Sequence, residues 1–284
     1  MILNRDNTAL VVDSTADLTP ELRADPNVRM VPLGVHFAER SYSDWVDITP
    51  DEFYPLLRRA DRLPTTSQPS AGAFAEAYAE ISPRFEKIYS LHLSAKLSGT
   101  VQSASLAQEE APKVTVLDTG LASVGIALLV DRLLSRLDEG IAEEDFLEYV
   151  EFYRREVGFL FIPATLEYLQ KGGRIGRANR IAGSLLNIRP LLTITDGEVD
   201  LYKKARGEKK ATAAIRDYFL ERTGPDRPIF MAIAHGDAAG KARELEQTLK
   251  ETGHPIEMRV RGRLGSVIGT YVGPDTLGLF FIQE

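Results

Sequence analysis

The stretch Lys87-Ile88-Tyr89-Ser90-Leu91-His92-Leu93, then Ser94-Ala95-Lys96-Leu97-Ser98-Gly99-Thr100, then Val101-Gln102-Ser103-Ala104-Ser105-Leu106 decides the fold. The first seven residues carry the apolar and aromatic side chains of a β-strand. The middle seven are a loop of hydroxyls and one glycine. Residues 101–110 read as helix. Strand, polar loop and helix make a βα unit, and its recurrence predicts a mainly parallel sheet. In such sheets ligands bind outside the carboxyl ends of the strands, which is where this hydroxyl loop falls.

The pattern extends in both directions. Residues 8–12 are an apolar run that opens into Asp13-Ser14-Thr15-Ala16-Asp17. Residues 28–37 read as a second strand. Residues 43–51 read as a loop with the single tryptophan, Trp45, and a helix follows to about residue 60. Next comes Pro64-Thr65-Thr66-Ser67-Gln68-Pro69-Ser70. Its two prolines stiffen the backbone, and Ser70 is a good N-cap for a helix over 71–81. The loop reads either as a rigid turn with a capped helix or as a site for one oxyanion. Residues 114–117 are a fourth strand ending in Asp118, and 122–137 an apolar helix. Residues 158–163 begin a second half. There, 190–195 and 198–204 flank Asp196-Gly197, a strong hairpin signal. Arg174-Ile175-Gly176-Arg177 is expected to lead into a helix that runs through about residue 186, and residues 277–281 close the chain as a strand. The fold class is therefore α/β with two domains. One, 1–158, is Rossmann-like and mainly parallel with flanking helices; the other, 159–284, has a mixed or antiparallel sheet.

Composition narrows the function. The 284 residues are 44% hydrophobic and 26% charged, as in a soluble globular protein. No apolar run approaches a membrane span, and the N-terminus lacks a secretory core. Cysteine is absent, which excludes disulfides and thiolate metal sites and fits a cytoplasmic location. The formal charge of −7 argues against general nucleic-acid binding. Residues 171–210 hold ten Lys/Arg against four Asp/Glu, a net of +6 that leaves −13 on the remainder. That patch is a solvated surface or a docking face. His-Glu-x-x-His, Walker and Gly-x-Ser-x-Gly signatures are missing. The four histidines lie far apart in sequence, and His235 follows a strand toward a cleft. Asp13, Asp17 and Asp118 stand at strand ends, where they either pin loops or form an acid–base or metal site. With no evident base nearby, the hydroxyls read as hydrogen-bond donors, which favours binding over catalysis. A metal-assisted hydrolase using those aspartates is the alternative.

Three motifs resemble the DegV family in order and spacing: Asp13-Ser14-Thr15-Ala16-Asp17, Pro64 to Ser70, and Leu93 to Thr100. So do Leu169-Gln170-Lys171-Gly172-Gly173-Arg174-Ile175, Asn187-Ile188-Arg189-Pro190 and Lys204-Ala205-Arg206-Gly207-Glu208-Lys209-Lys210-Ala211. The resemblance implies a bacterial carrier of a long-chain fatty acid such as palmitate or oleate, with no cofactor, metal or activity of its own. It implies an ATP-binding kinase subunit as partner, forming an acyl phosphate, and transient contact with a membrane. Thr66 and Ser98 would hold the carboxylate, with Ser94 and Thr65 as neighbours. Arg206, with Arg174, would dock the kinase. Where the family often has Gly-Thr-His, this chain has Gly269-Thr270-Tyr271, so Tyr271 stands beside the head group. Tyrosine donates one hydrogen bond but carries no positive charge near neutral pH. Residues 122–130, 160–162 and 185–188 are candidate tunnel linings or ordinary core.

Overall fold

The chain opens with a two-residue strand, β1 (Ile2–Leu3), and then β2 (Thr8–Asp13), whose six residues are all buried. Such a strand reads as an unbroken apolar run because both faces are covered. A 3-10 turn (Ser14–Ala16) and α1 (Pro20–Ala24) lead to β3 (Val28–Val31). This is a computed structural model, and it describes residues 1–38, 40–181 and 188–284.

The single strand expected over 28–37 is two strands. β3 stops before Pro32, which has no N–H for the ladder. β4 (Gly34–Phe37) then starts a different sheet with β5 (Arg40–Ser43). α2 (Pro50–Arg59) follows, closed at its start by a Thr49–Glu52 capping box. The Pro64–Ser70 stretch is also more than a loop. Thr65–Ser67 is β6, antiparallel to β4, with Thr66 opposite Val35. Ser70 caps α3 (Ala71–Ile81) as its sequence suggests, its hydroxyl accepting from the Ala73 amide at 3.1 Å.

β7 (Lys87–His92), α4 (Thr100–Gln108) and β8 (Val114–Asp118) complete a four-stranded parallel sheet of order β3-β2-β7-β8. Next come α5 (Val124–Glu139), β9 (Ile141–Ala142), which pairs with β1, and α6 (Glu143–Glu156). The later chain supplies β10 (Gly158–Ile162), α7 (Glu167–Lys171) and a 3-10 segment (Gly176–Ile181). The helix expected to reach about residue 186 is this 3-10 segment as far as it is described. Residues 182–187, with them most of the candidate lining run 185–188, lie outside the described residues. The hairpin is β11 (Ile188–Thr195) with β12 (Glu198–Arg206), and Asp196 and Gly197 both have positive φ, as the Asp-Gly signal requires.

α8 (Glu208–Arg222), β13 (Ile229–His235), α9 (Ala239–Lys250), β14 (Ile256–Arg263), α10 (Ser266–Val272) and β15 (Leu277–Gln283) follow. The second sheet has the order β12-β11-β10-β15-β13-β14. Only β13 and β14 run parallel within it, so it is mixed. α5 packs against β13, β14 and β15, and one apolar cluster runs from Leu10 and Leu91 through Leu128 to Phe280. The helix therefore seals the two sheets to one another. α10 was not expected: Gly269 inside it and Gly265 and Gly273 at its two ends hide a helix behind a loop-like composition.

Candidate functional site

A cavity of about 340 Å³ opens between the parallel sheet, the mixed sheet and α10. Its apolar wall includes Leu33, Phe159, Phe161, Ile194, Val199 and Phe280. Phe159 and Phe280 stack with ring centroids 3.9 Å apart, giving that wall a flat aromatic surface. Of the candidate lining runs, Ala122, Ser123 and Phe161 reach the cavity. Residues 124–130 and Leu160 are buried in the cores instead.

The polar groups of the cavity are tied into one set. Thr66 Oγ1 lies 2.5 Å from the Tyr271 hydroxyl. The Arg174 guanidinium stands 4.9 Å from the centre of the Tyr271 ring and donates to the Leu97 carbonyl at 3.3 Å. Ser98 Oγ is 2.8 Å from Thr100 Oγ1 and accepts from the Thr100 amide at 3.3 Å. Gln68 closes the set, its side-chain amide donating to the Gly99 carbonyl at 3.1 Å and to Ser103 Oγ at 2.8 Å. This amide clamps the two hydroxyl loops to each other. When Thr66 accepts from Tyr271, its own hydrogen is left to point elsewhere. Ser98 is in the same position beside Thr100. The arrangement presents two neutral O–H donors and one guanidinium at the polar side of an apolar cavity, which suits a single anionic head with a long apolar tail.

The sequence-selected residues are only partly gathered here. Thr66, Ser98, Tyr271 and Arg174 line the cavity. Thr66 is held by strand pairing rather than at a helix start. Thr65 alternates to the outer face of the small sheet and is exposed. Ser94 is buried, and its hydroxyl donates to the Gly197 carbonyl at 2.8 Å, anchoring the hairpin turn. Arg206 is exposed on the edge strand β12 with Lys203 and Lys204, far in sequence from the hydroxyl loops. Within the basic stretch, Lys171, Arg177, Arg180 and Arg189 form ion pairs with acidic neighbours. Arg174, expected on the docking face, is exposed and borders the cavity. Its direction is set by the turn at Gly172-Gly173, where Gly173 has φ 70°.

One expectation about the hydroxyls needs correction. A base does stand beside one of them: His36 Nε2 is 2.9 Å from Ser67 Oγ, and His36 Nδ1 is 2.8 Å from Ser41 Oγ. These groups share the outer face of the β5-β4-β6 sheet, because Ser67 alternates with the inward Thr66. The other histidines serve the fold. His92 Nδ1 lies 3.0 Å from Asp13 Oδ2 in a fully buried pair. His235 Nδ1 accepts from the Ala238 amide at 3.1 Å, and burial lowers its pKa.

The strand-end aspartates are occupied with backbone and hydroxyl donors. Asp13 accepts from the Leu93 amide at 3.0 Å and so fixes where β7 ends and the Ser98 loop begins. Asp118 accepts from the Ala95 and Gly120 amides. Asp17 accepts from Trp45, Ser123 and Gly265. Among the described residues, no three His, Cys, Asp or Glu side chains are grouped to hold a metal ion. No described helix is long and apolar enough to cross a membrane.

The fold is α/β, and the cavity sets neutral hydroxyls and one guanidinium opposite an apolar wall. Comparison with known proteins identifies the family. The model of the DegV family, described as an uncharacterised protein family, matches residues 7–284, and the chain belongs to that family. A DegV domain-containing protein of Deinococcus radiodurans is 36% identical over 279 residues, covering 95% of this chain and 96% of its own length. Among solved structures, a DegV family protein from Thermus thermophilus, described by its fatty acid binding, has a TM-score of 0.91 at 40% identity. The match covers 98% of this chain and 100% of that one. DegV of Bacillus subtilis, described as a fatty acid binding protein, has a TM-score of 0.89 at 28% identity, covering 98% and 99%.

Proposed function

We propose that this chain carries a long-chain fatty acid, such as palmitate or oleate, with the tail in the 340 Å³ cavity and the carboxylate at Thr66 and Ser98. The observation that carries the reading is the joining of Thr66, Tyr271, Arg174 and Ser98 on the polar side of an aromatic-walled cavity. Thr66 and Ser98 each retain a hydrogen for the carboxylate, and Arg174 adds the positive charge that Tyr271 does not supply in place of histidine. Ser94 and Thr65 act as supports of the two loops rather than as direct contacts.

The energetics agree. A palmitate-sized tail buries about 14 methylenes at ~0.8 kcal/mol each, on the order of 11 kcal/mol before ordering costs. The hydroxyls and Arg174 then have only to offset the desolvation of one carboxylate. The neighbours described as fatty-acid-binding support the same ligand.

In this reading the chain has no cofactor and no catalytic step of its own. It works in the cytoplasm and presents the carboxylate to an ATP-binding kinase subunit for acyl-phosphate formation. Arg206 and the exposed lysines of β12 form the docking face. The chain divides near residue 158, where β10, the first strand of the mixed sheet, begins. Mass spectrometry of the denatured protein tests the ligand directly. Co-purified acyl chains are expected, and an empty protein with no thermal shift on adding palmitate or oleate would count decisively against the proposal.

A further inference from the structure

α10 forms one wall of the cavity and carries Tyr271, yet its first turn is gripped by two carboxylates that head-group binding does not use. Asp17 Oδ1 accepts from the Gly265 amide at 2.8 Å and from the Trp45 indole N–H at 3.2 Å. Asp17 Oδ2 accepts from the Ser123 hydroxyl at 2.6 Å. Asp44 Oδ1 accepts from the Ser266 amide at 2.8 Å and the Ser266 hydroxyl at 2.5 Å. Both aspartates are 1% exposed, so each charge would sit in a dry corner. Asp44 Oδ2 is buried with no hydrogen-bond partner among the described residues, and so is Arg263 Nε, two residues before Gly265. The corner has no slack. A Cβ on Gly265 would stand 2.4 Å from Trp45 Nε1 and 2.8 Å from Asp17 Oδ1.

An anion without a full set of donors is costly in such a place, and a second anion beside it adds repulsion. Burial, opposed by the Ser123 hydroxyl and assisted by Asp44, pushes Asp17 up to about 8. Burial, opposed by the Ser266 hydroxyl, pushes Asp44 up to about 6. Three further ionisable groups face the corner. Tyr54 of α2 donates to the Leu264 carbonyl at 3.1 Å. Arg263 of β14 is engaged with Asp51 and Asp237. Arg23 of α1 lies 4.5 Å over the Trp45 ring. None of them places a cation in direct contact with either Asp17 or Asp44 among the described residues.

We propose that Asp17 and Asp44 are positioning residues that form a proton-dependent latch on α10. Protonated, they hold the helix start down and keep Tyr271 against Thr66. Ionised, they repel each other and draw in water, the start of α10 loosens, and the cavity exchanges its occupant faster. The latch rests on the reading of the cavity as a fatty-acid site. Its sign follows from linkage. The closed corner keeps a proton that the open, wet corner loses in the ordinary carboxylate range. Opening therefore becomes more favourable as pH climbs toward about 8, by up to roughly tenfold per pH unit for one proton, and levels off above that.

The test measures two quantities between pH 6 and pH 9. One is the release rate of a fluorescent long-chain fatty acid. The other is the emission of Trp45, the single tryptophan, in the empty protein. In the unmodified chain both change together, with release rising severalfold to tenfold per pH unit up to about 8. Asp17→Asn keeps the hydrogen bonds of the protonated form; it should abolish the emission step and leave release slow and flat. Asp44→Asn removes the neighbouring charge that helps to raise Asp17, so both midpoints should move together to lower pH, and unmoved midpoints count against the latch. A release rate that ignores pH while Trp45 titrates, or an unchanged pH profile in Asp17→Asn, overturns the latch. If Asp17→Asn does not fold, Ser123→Ala serves. It removes a donor to the Asp17 anion, so both midpoints should move to higher pH together, and unmoved midpoints overturn the proposal. If the chain takes up no fatty acid, the carrier reading fails separately. Amide exchange at Gly265 and Ser266, compared between unmodified chain and Asp17→Asn at one pH above 8, then still reads the latch. Faster exchange in the unmodified chain supports it, and equal rates refute it.

Discussion

Gly278 offers the most direct way to ask whether the cavity holds an acyl tail. It lies on β15, lines the cavity and is buried. A Cβ there would meet its nearest neighbours, the Ala234 carbonyl oxygen and Phe161 Cβ, both at 3.9 Å, an ordinary contact distance. A side chain at 278 can therefore grow into the cavity without displacing backbone. Each carbon it adds takes the place of about one methylene of bound tail, worth ~0.8 kcal/mol. Gly278→Ala should weaken fatty-acid binding about fourfold, and Gly278→Leu by about 3 kcal/mol, or roughly two orders of magnitude. Stability should hold or rise, because the new side chain is buried among apolar neighbours and restricts the unfolded chain. Displacement of a fluorescent fatty acid gives the affinities, and urea unfolding of the ligand-free protein gives the stabilities. The reasoning is refuted if Gly278→Leu folds with undiminished stability and binds palmitate as tightly as the unmodified chain.

The head-group contacts should show effects between those of the two Gly278 variants. Thr66→Val or Ser98→Ala removes one hydrogen bond to an anion, about 1.5–3 kcal/mol, so the dissociation constant measured by the same displacement assay should rise roughly ten- to a hundredfold. Arg206→Ala should leave fatty-acid affinity unchanged and slow acyl-phosphate formation by a kinase subunit; loss of fatty-acid binding would contradict its placement on the docking face. Asp17 predicts a pH dependence of stability. Its folded pKa is raised from the ordinary carboxylate value to about 8, so the folded state holds a proton that the unfolded chain releases. That contribution is complete at acid pH and lost as pH rises from about 4 to 8, on the order of 5 kcal/mol in all. Urea midpoints for the unmodified chain should fall across that interval, and those of Asp17→Asn should fall much less.

The parallel half of the fold was legible because burial on both faces writes an uninterrupted apolar run in Ala9 to Val12, and Ile88 to Leu93 keeps the signal although Ser90 and His92 interrupt it. The hairpin was legible because Asp196-Gly197 permits positive φ at both central residues. The errors have equally specific causes. Residues 28–37 have one composition throughout, but Pro32 cannot continue the ladder, so the two halves join different sheets. β6 is three polar residues between prolines, and only its partner β4 makes it a strand. α10 is held by contacts with Asp17 and Asp44, more than 200 residues earlier in the chain, which no local pattern records. The site shows the same limit. Thr66 and Ser98, which line the cavity, lie in hydroxyl-rich loops that equally suggested Thr65 and Ser94. Strand alternation separates Thr66 from Thr65, and the turn at Gly197 claims Ser94. Arg174 could be counted in a basic stretch, but its approach to Tyr271 depends on the turn at Gly173.

On the proposed fatty-acid reading, the division of labour at the site follows from what a carrier must do. If the carboxylate were buried in a dry ion pair, breaking it would leave an unpaired charge, a penalty of several kcal/mol that would oppose transfer. Neutral donors avoid that penalty. When the head leaves, the freed Thr66 and Ser98 hydrogens pass to water, while the Thr66–Tyr271 and Ser98–Thr100 hydrogen bonds stay in place. Arg174 is exposed and stacked on a tyrosine ring, so its charge stays hydrated whether or not an anion is present. Affinity then resides in the tail, which needs no particular head to stay bound, and the head is free to react. This argument distinguishes Arg174 from a buried counter-ion. Replacing it by lysine, which keeps the charge but not the planar stacking on Tyr271, should cost little binding affinity while disordering the head. That would appear as slower acyl-phosphate formation at unchanged dissociation constant. An equal loss in both would mean that the guanidinium holds the carboxylate itself, and that the tail is not the main source of affinity.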